Sequence, residues 1–396
     1  MKVVINGAGI AGGTLAYWLR RSGHDVLLIE QSNELRTGGY AIDFWGVGYD
    51  IAEKMGLRPR ITELGYDVNE LRYVDAEGRK RGGFPLAVLD RMTGGRYTQL
   101  RRADLAATIY QTLDTEVEKI FGDSIAGIED RADRVRVTFE HAAPRDVDLV
   151  IGADGLHSRV REIAFGSESQ FEFPLGYHVV AFETEGYPVR DELVAVSHAI
   201  PGRQIMRLSL RNDRTLFLFV FRDEYMPAAH ARSVQERKEV LRTIFAPMDW
   251  ERQQILAAIN DARDIYLDRV SQIRMDRWST GRVALIGDAA ACVSLLAGEG
   301  TGLAMAEAYV LAGELQHGGG DHSAAFAAYQ KRLMTFLKSK QTSAAKLASS
   351  FAPKSAWGIV LRNQASRLLA IPSFAKVLIG RALRDDIVLP DYDFSR

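Results

Sequence analysis

The residues best placed to do chemistry stand where an apolar strand runs into a glycine-rich turn. Residues 2–6, KVVIN, lead into GAGIAGG, and a helix-spaced stretch with Leu15, Trp18 and Leu19 follows. Gly7 permits the tight turn, Gly9 lacks the Cβ that would block a pyrophosphate, and Gly12 lets helix and strand pack closely. The backbone N–H groups of Ile10 and Ala11 then sit at the positive end of a helix dipole, a natural seat for phosphate. Glu30 ends the next strand, VLLIE, with Gln31 after it. A carboxylate there can accept both hydroxyls of an adenosine ribose, which suits FAD or NAD better than NADP.

Two more strand ends carry the same kind of chemistry. The segment 147–161 reads VDLVIGADGLHSRVR, and its turn holds Asp154 and Gly155, with Arg161 on a following helix. Asp154 and Arg161 either hold each other or touch a cofactor; a helix cap plus a surface arginine is the plainer alternative. The segment 282–302 reads RVALIGDAAACVSLLAGEGTG. Here Gly287 and Asp288 end a buried strand, and Gly298, Gly300, Thr301 and Gly302 open a second helix. A carboxylate at a strand end can bind a ribityl chain, and the helix N-terminus can face the carbonyl edge of an isoalloxazine, where reduction places negative charge.

These three motifs, in this order, resemble the single-component FAD-dependent monooxygenases of the para-hydroxybenzoate hydroxylase type. They are similar also to the tetracycline-inactivating and ubiquinone-hydroxylase-like flavoproteins. The resemblance covers residues 1 to about 335. It implies an FAD cofactor, NADPH or NADH as transient reductant, O₂ as co-substrate, and oxygenation of an aromatic or polyketide-like small molecule through a flavin hydroperoxide. The flavin carries the reaction, so no catalytic side chain is named. A dehydrogenase or reductase on the same scaffold is the alternative. The resemblance also matches Arg102 to the arginine that reaches FAD, and places 37–48, TGGYAIDFWGVG, beside the flavin ring, with Gly38 and Gly39 allowing close approach and Arg36 near the pyrophosphate. Trp45 reads equally as core packing or flavin contact.

The chain departs from the family at 288–302. Ala291 stands for the family's histidine, Ser294 and Leu295 for its prolines, Glu299 for its glutamine and Gly302 for its asparagine. An ionised Glu299 beside the ring would disfavour a flavin anion, so an outward Glu299 that complements the helix dipole is the preferred reading. Cys292, the single cysteine, has no histidine close behind it and reads as buried filler.

The elements that position these residues follow from patterning. The expected fold is α/β: a Rossmann-like FAD-binding domain from residues 1–69, 99–175 and 263–335, an inserted mixed or antiparallel substrate sheet from 70–98 and 176–262, and C-terminal helices over 336–396. Residues 176–222 alternate as antiparallel strands with turns at Pro201-Gly202 and Asn212-Asp213. In TLFLFVF, Phe217 and Phe219 share one face; with Met206 and Leu295 they are the expected substrate contacts. Charged helical segments near 233–246 and 251–259 read as the sheet's outer cover, and 322–349 as a long amphipathic helix. The basic run around Arg381 and Arg384 reads as a solvated face.

Composition sets outer limits. Lysine plus arginine number 50 and aspartate plus glutamate 51 in 396 residues, so the net charge is -1. That removes the argument for a broad nucleic-acid surface. No apolar run reaches membrane-spanning length, and the eight histidines show no zinc-like spacing. One cysteine, and an apolar N-terminal strand with no basic region or cleavage site before it, point to a reducing cytoplasmic setting. Monomer and homodimer stay open.

Overall fold

The computed structural model describes the chain apart from residues 36–39, 132, 228–230, 232, 379, 381–384 and 395–396. Arg36, Gly38, Gly39, Arg381 and Arg384 therefore lie outside the described residues. The architecture is mixed α/β.

Lys2–Asn6 lies inside a six-stranded sheet, between Leu149–Gly152 and Asp25–Glu30 and parallel to both. Val283–Leu285 and Glu118–Phe121 extend it in parallel, and Ser279–Thr280 closes one edge antiparallel. Val3, Val4, Ile5, Leu149, Val150 and Ile151 are all buried, as expected of parallel strands covered on both faces. The helices Ile10–Arg21 and Gly300–His317 pack together in the same core. A small antiparallel sheet, Ile125–Asp130, Val135–Phe139 and Arg145–Val147, joins this core; nothing in the residue patterning singled it out.

The second large sheet has seven strands, in the order Tyr266–Ile273, Glu172–Glu185, Arg214–Arg222, Arg203–Ser209, Val194–Ile200, Glu70–Val74 and Lys80–Pro85. Its pairs are antiparallel except Val194–Ile200 with Glu70–Val74, so it is mixed. Its turns fall at Pro201–Gly202 and at Asn212–Asp213, where both residues take positive φ, 59° and 55°. Besides Glu70–Val74 and Lys80–Pro85, its strands run from Glu172 to Ile273, past the expected 176–262 at both ends.

The helices Val234–Phe245 and Arg252–Asp261 cover one face of this sheet. Ser233 and Glu236 form a reciprocal capping box that starts the first of them. Under this cover lie Phe217, Phe219 and Phe221, packed with Phe182, Ile244 and Phe245. Phe217 and Phe219, expected as substrate contacts, are thus core residues of the helix-covered side. Strand alternation sends successive side chains to opposite faces, and the bulkiest ones go where helices exclude water.

The helix His322–Ala348 is capped by Asp321, which accepts a hydrogen bond from the Ala324 N–H at 3.0 Å. Ala356–Leu368 and Pro372–Leu378 follow. Beyond them the chain returns to the first core: Tyr392 and Phe394 are buried, with Phe394 4.5 Å from Trp18 and Tyr392 5.3 Å from Tyr309, ring centre to ring centre.

Candidate functional site

A cleft partly open to solvent, about 860 Å³ with the solvent at its mouth counted in, lies where the ends of the parallel strands meet the uncovered side of the second sheet. Gly9, Ile10 and Ala11 form one wall. Gly7 has φ +108°, and a Cβ there would come 2.5 Å from the Ala153 carbonyl oxygen; one on Gly12 would collide with the Gly7 carbonyl. These two glycines set the turn. Gly9 differs: its nearest neighbour would be the Arg102 guanidinium at 3.8 Å, so the missing Cβ opens onto the cleft. The helix it starts has no side-chain cap and no acid in its first turn, leaving its first N–H groups available to an anion. Glu30 stands outside the cleft walls, accepting the N–H groups of Ala8 and Ser32 at 3.0 Å each; Gln31 is exposed beside it.

Arg102 opens the helix Arg102–Gln111 and lines the cleft. Its backbone N–H donates to the Tyr40 carbonyl at 3.1 Å. The second motif divides. Gly155 lines the cleft. Asp154 turns into the protein, accepting from Asn6 Nδ2 at 2.9 Å, from the Val160 N–H at 3.1 Å and from the Ser158 hydroxyl. Arg161 is fully buried and donates to the carbonyls of Ala289, 3.1 Å, and Leu156, 2.6 Å, and to Glu168 at 2.7 Å. It ties the second motif to the third behind the cleft wall, and is neither a surface arginine nor a cleft residue.

The third motif faces the cleft with Asp288, Gly298, Gly300 and Thr301. Burial raises the Asp288 carboxyl above its ordinary range, and the Arg102 charge opposes that rise. Gly287, with φ +62°, carries the turn that aims Asp288. Gly302 faces elsewhere: a Cβ there would stand 3.3 Å from Gly48 Cα, so it permits close helix packing. Glu299 turns from the cleft into a buried ion-pair chain, with Lys340 at 2.8 Å and Asp385 2.8 Å beyond. Glu299, expected to point outward, is thus directed away from the cleft but into a charge partner instead of solvent. The helix Gly300–His317 has no side-chain cap. Cys292 reaches the cleft wall, its thiol 3.6 Å from the Ser271 carbonyl oxygen; burial and Asp288 push its pKa well up, so it stays a thiol.

On the sheet side, Leu295 lines the cleft and packs with Leu218, Val220 and Tyr266. Met206 packs nearby with Ala41, Leu208 and Leu216 on the uncovered face. Trp45 lies against Tyr97, 6.3 Å between rings, and lines a separate small pocket. Residue types alone did not pick out Tyr40 and Tyr266, whose rings lie 6.0 Å apart on the cleft wall. Nor did they pick out Asp268, which accepts from the Tyr266 hydroxyl at 3.0 Å and stands 3.3 Å from His157 Nε2. Asp268 and Glu168 raise His157 to about 9.

Residues 1–332 match the family described as "FAD binding domain". The chain belongs to this FAD-binding family. A flavin-dependent monooxygenase from Legionella longbeachae is 31% identical, covering 100% of this chain and 99% of its own length. An uncharacterized protein of Mycobacterium tuberculosis is 38% identical over 86% of this chain and 91% of its own. Among solved structures, the tetracycline destructase Tet(51) superposes with a TM-score of 0.83 at 30% identity, covering 99% of both chains. Klebsiella pneumoniae HpxO, complexed with FAD and uric acid, gives 0.78 at 25% identity over 97% of this chain and 96% of its own.

This FAD-family member is a flavoprotein monooxygenase, an oxidoreductase that uses FAD, with NAD(P)H the reductant typical of the family. The cleft fits such a cofactor on its own geometry. Two helices begin at it without side-chain caps, a glycine opens its Cβ position onto it, and an arginine and an aspartate face it. Among the described residues, no helix is long and apolar enough to cross a membrane.

Proposed function

We propose that this cleft holds FAD between Gly9 and Thr301 and oxygenates a planar, electron-rich small molecule resting against the Tyr40–Tyr266 wall. The single observation that carries the reading is the pair of uncapped helix N-termini opening on one cleft with Asp288 and Arg102 between them. The N–H groups of Ile10 and Ala11, with Arg102, would hold the pyrophosphate. Asp288 would accept ribityl hydroxyls. Glu30 has acceptor capacity left beyond its two backbone bonds for ribose hydroxyls. Gly300 and Thr301 would present backbone N–H groups to the carbonyl edge of the ring, while Gly298, whose N–H donates to the Leu295 carbonyl, would shape the turn beside them.

The chemistry FAD supplies is two-electron reduction by NADPH or NADH and transfer of one oxygen atom from O₂ to the substrate. Around it this chain binds, orients and excludes water. Tyr40 and Tyr266 offer ring faces for stacking, and Leu295 and Leu218 an apolar floor. Asp154 and Arg161 act behind the wall: one holds the second turn to the first strand, the other holds it to Ala289. The residue set is an FAD domain built from three stretches of chain, closed by the seven-stranded sheet. Support for a planar substrate comes from the neighbours, one a tetracycline destructase and one complexed with uric acid.

The test is a panel of hydroxylated aromatics, polyketides and purines. A true substrate accelerates NADPH oxidation and gains one ¹⁸O atom from labelled O₂. Accelerated oxidation with no labelled product from any compound would replace this reading by a reductase.

A further inference from the structure

Behind Asp288 sits a buried acid with no place in the mechanism above. Glu307, 2% exposed, lies on the helix Gly300–His317. Its Oε2 accepts the N–H of Gly287 at 2.9 Å and the hydroxyl of Tyr329 at 3.0 Å. The same Tyr329 hydroxyl lies 3.2 Å from the Leu285 carbonyl oxygen. Glu307 therefore grips the turn that carries Asp288, from a helix whose first residues line the cleft.

A tyrosine hydroxyl has one proton and cannot serve both acceptors fully. The geometry allows two complete patterns. With Glu307 ionised, Tyr329 donates to the carboxylate. With Glu307 protonated, its own O–H donates to Tyr329 Oη, and the tyrosine proton turns to Leu285. In both, Oε2 keeps a lone pair for the Gly287 N–H, by a charge-assisted bond in the first and a weaker neutral bond in the second.

We infer that Glu307 is a positioning residue for Asp288 and that FAD binding is coupled to proton uptake at the Glu307–Tyr329 pair. The inference rests on the reading of Asp288 as an FAD contact. The titratable groups facing Glu307 are Tyr329 from the helix His322–Ala348 and Asp288 from the turn; burial and the Asp288 charge raise it to about 8, while Tyr329 and the Gly287 N–H hold it lower. Seating FAD beside it adds the pyrophosphate's negative charge and takes water from Asp288, and both favour the protonated pattern. By linkage, FAD then binds more tightly below that range than above it.

The experiment titrates FAD into the full-length apoprotein by flavin fluorescence quenching from pH 6.5 to 9.5, with proton uptake followed by an indicator dye. The parent should bind FAD roughly two- to fivefold more weakly at pH 9 than at pH 7, as a coupling of about half to one pKa unit requires. Glu307→Gln cannot ionise, and its amide oxygen, placed where Oε2 stands, can accept from both the Gly287 N–H and the Tyr329 hydroxyl. It should bind FAD with nearly the same affinity across the range and take up no proton near pH 8. Tyr329→Phe removes the donor that favours the anion and should move the transition to higher pH. A folded Glu307→Gln protein with the parent's pH dependence would overturn the inference, as would a parent whose affinity is flat, or a Tyr329→Phe protein whose transition stays in place. Asp288→Ala holding FAD as the parent does would instead overturn the site reading beneath it.

Discussion

The two large sheets meet the cleft in different ways. The six-stranded sheet contributes strand ends, and the seven-stranded sheet contributes a face. At a parallel strand end the chain must stop, turn and start a helix within a few residues, so the chemistry is local: Gly7 to Gly12, and Gly287 to Thr301. On a sheet face, what matters is which parity of each strand points inward, and that is decided by elements distant in sequence. Phe217 and Leu218 are neighbours on one strand, yet one packs under helices and the other toward Leu295. Motifs therefore located the strand-end wall of the cleft, while its sheet-face wall depended on the cover.

The largest expected effect tests that parity. Phe219→Ala should destabilise the fold by roughly 3–5 kcal/mol in urea unfolding, because it leaves a cavity under Phe245 and Phe182. FAD affinity of the folded fraction should be unchanged; a selective change in substrate affinity with full stability would return Phe219 to the cleft.

Gly9→Val probes the opposite region. Its side chain would enter open space, so unfolding of the apoprotein should move by under about 1 kcal/mol, while FAD affinity falls about a hundredfold, near 2.7 kcal/mol. Flavin retention after gel filtration is the measurement, and normal retention would contradict the strand-end site. Arg102→Met should weaken FAD about tenfold through loss of a charge-assisted phosphate contact. Arg161→Met should instead lower stability by several kcal/mol, since it removes the donor to two buried carbonyls and leaves Glu168 to His157. If the two variants exchanged phenotypes, the division between cleft and bracing arginine would be wrong.

The smallest effect lies at the seam between the sheets, where His157 meets Asp268 and Glu168. Its folded pKa, about 9, stands above its ordinary value. The stabilisation is thus fully present below about pH 6.5 and is lost as pH rises through 9. His157 is well exposed, so solvent screening holds the effect under about 1 kcal/mol. The difference in stability between the parent and His157→Gln should shrink from pH 6 to pH 10; a constant difference would show no coupling there.

The α/β class and the three turns were legible in the residues, and so were the helical cover near 233–246 and the long helix from 322. Each is signalled within one window: β-branched runs, glycines at fixed spacing, a Ser–Glu capping pair, apolar residues at helical intervals. The reach of the second sheet to Tyr266–Ile273 was not, since strand pairing across the fold is set by partners far away in sequence. The burial of Arg161 was hidden for the same reason. An arginine on a helix after a turn reads as solvated, and only the approach of Ala289 and Glu168 makes its donors indispensable where they are. Glu299 likewise needed Lys340 and Asp385 to be seen turning from the cleft.

By itself the sequence determined the chemistry of the strand ends, because a tight turn with a bare backbone and a helix start is a property of consecutive residues. Tertiary structure alone decided which face of the second sheet meets the cleft, which arginine reaches it and which acid lies buried behind it. Those outcomes depend on what excludes water from each side chain, and water is excluded by elements that the local sequence does not name.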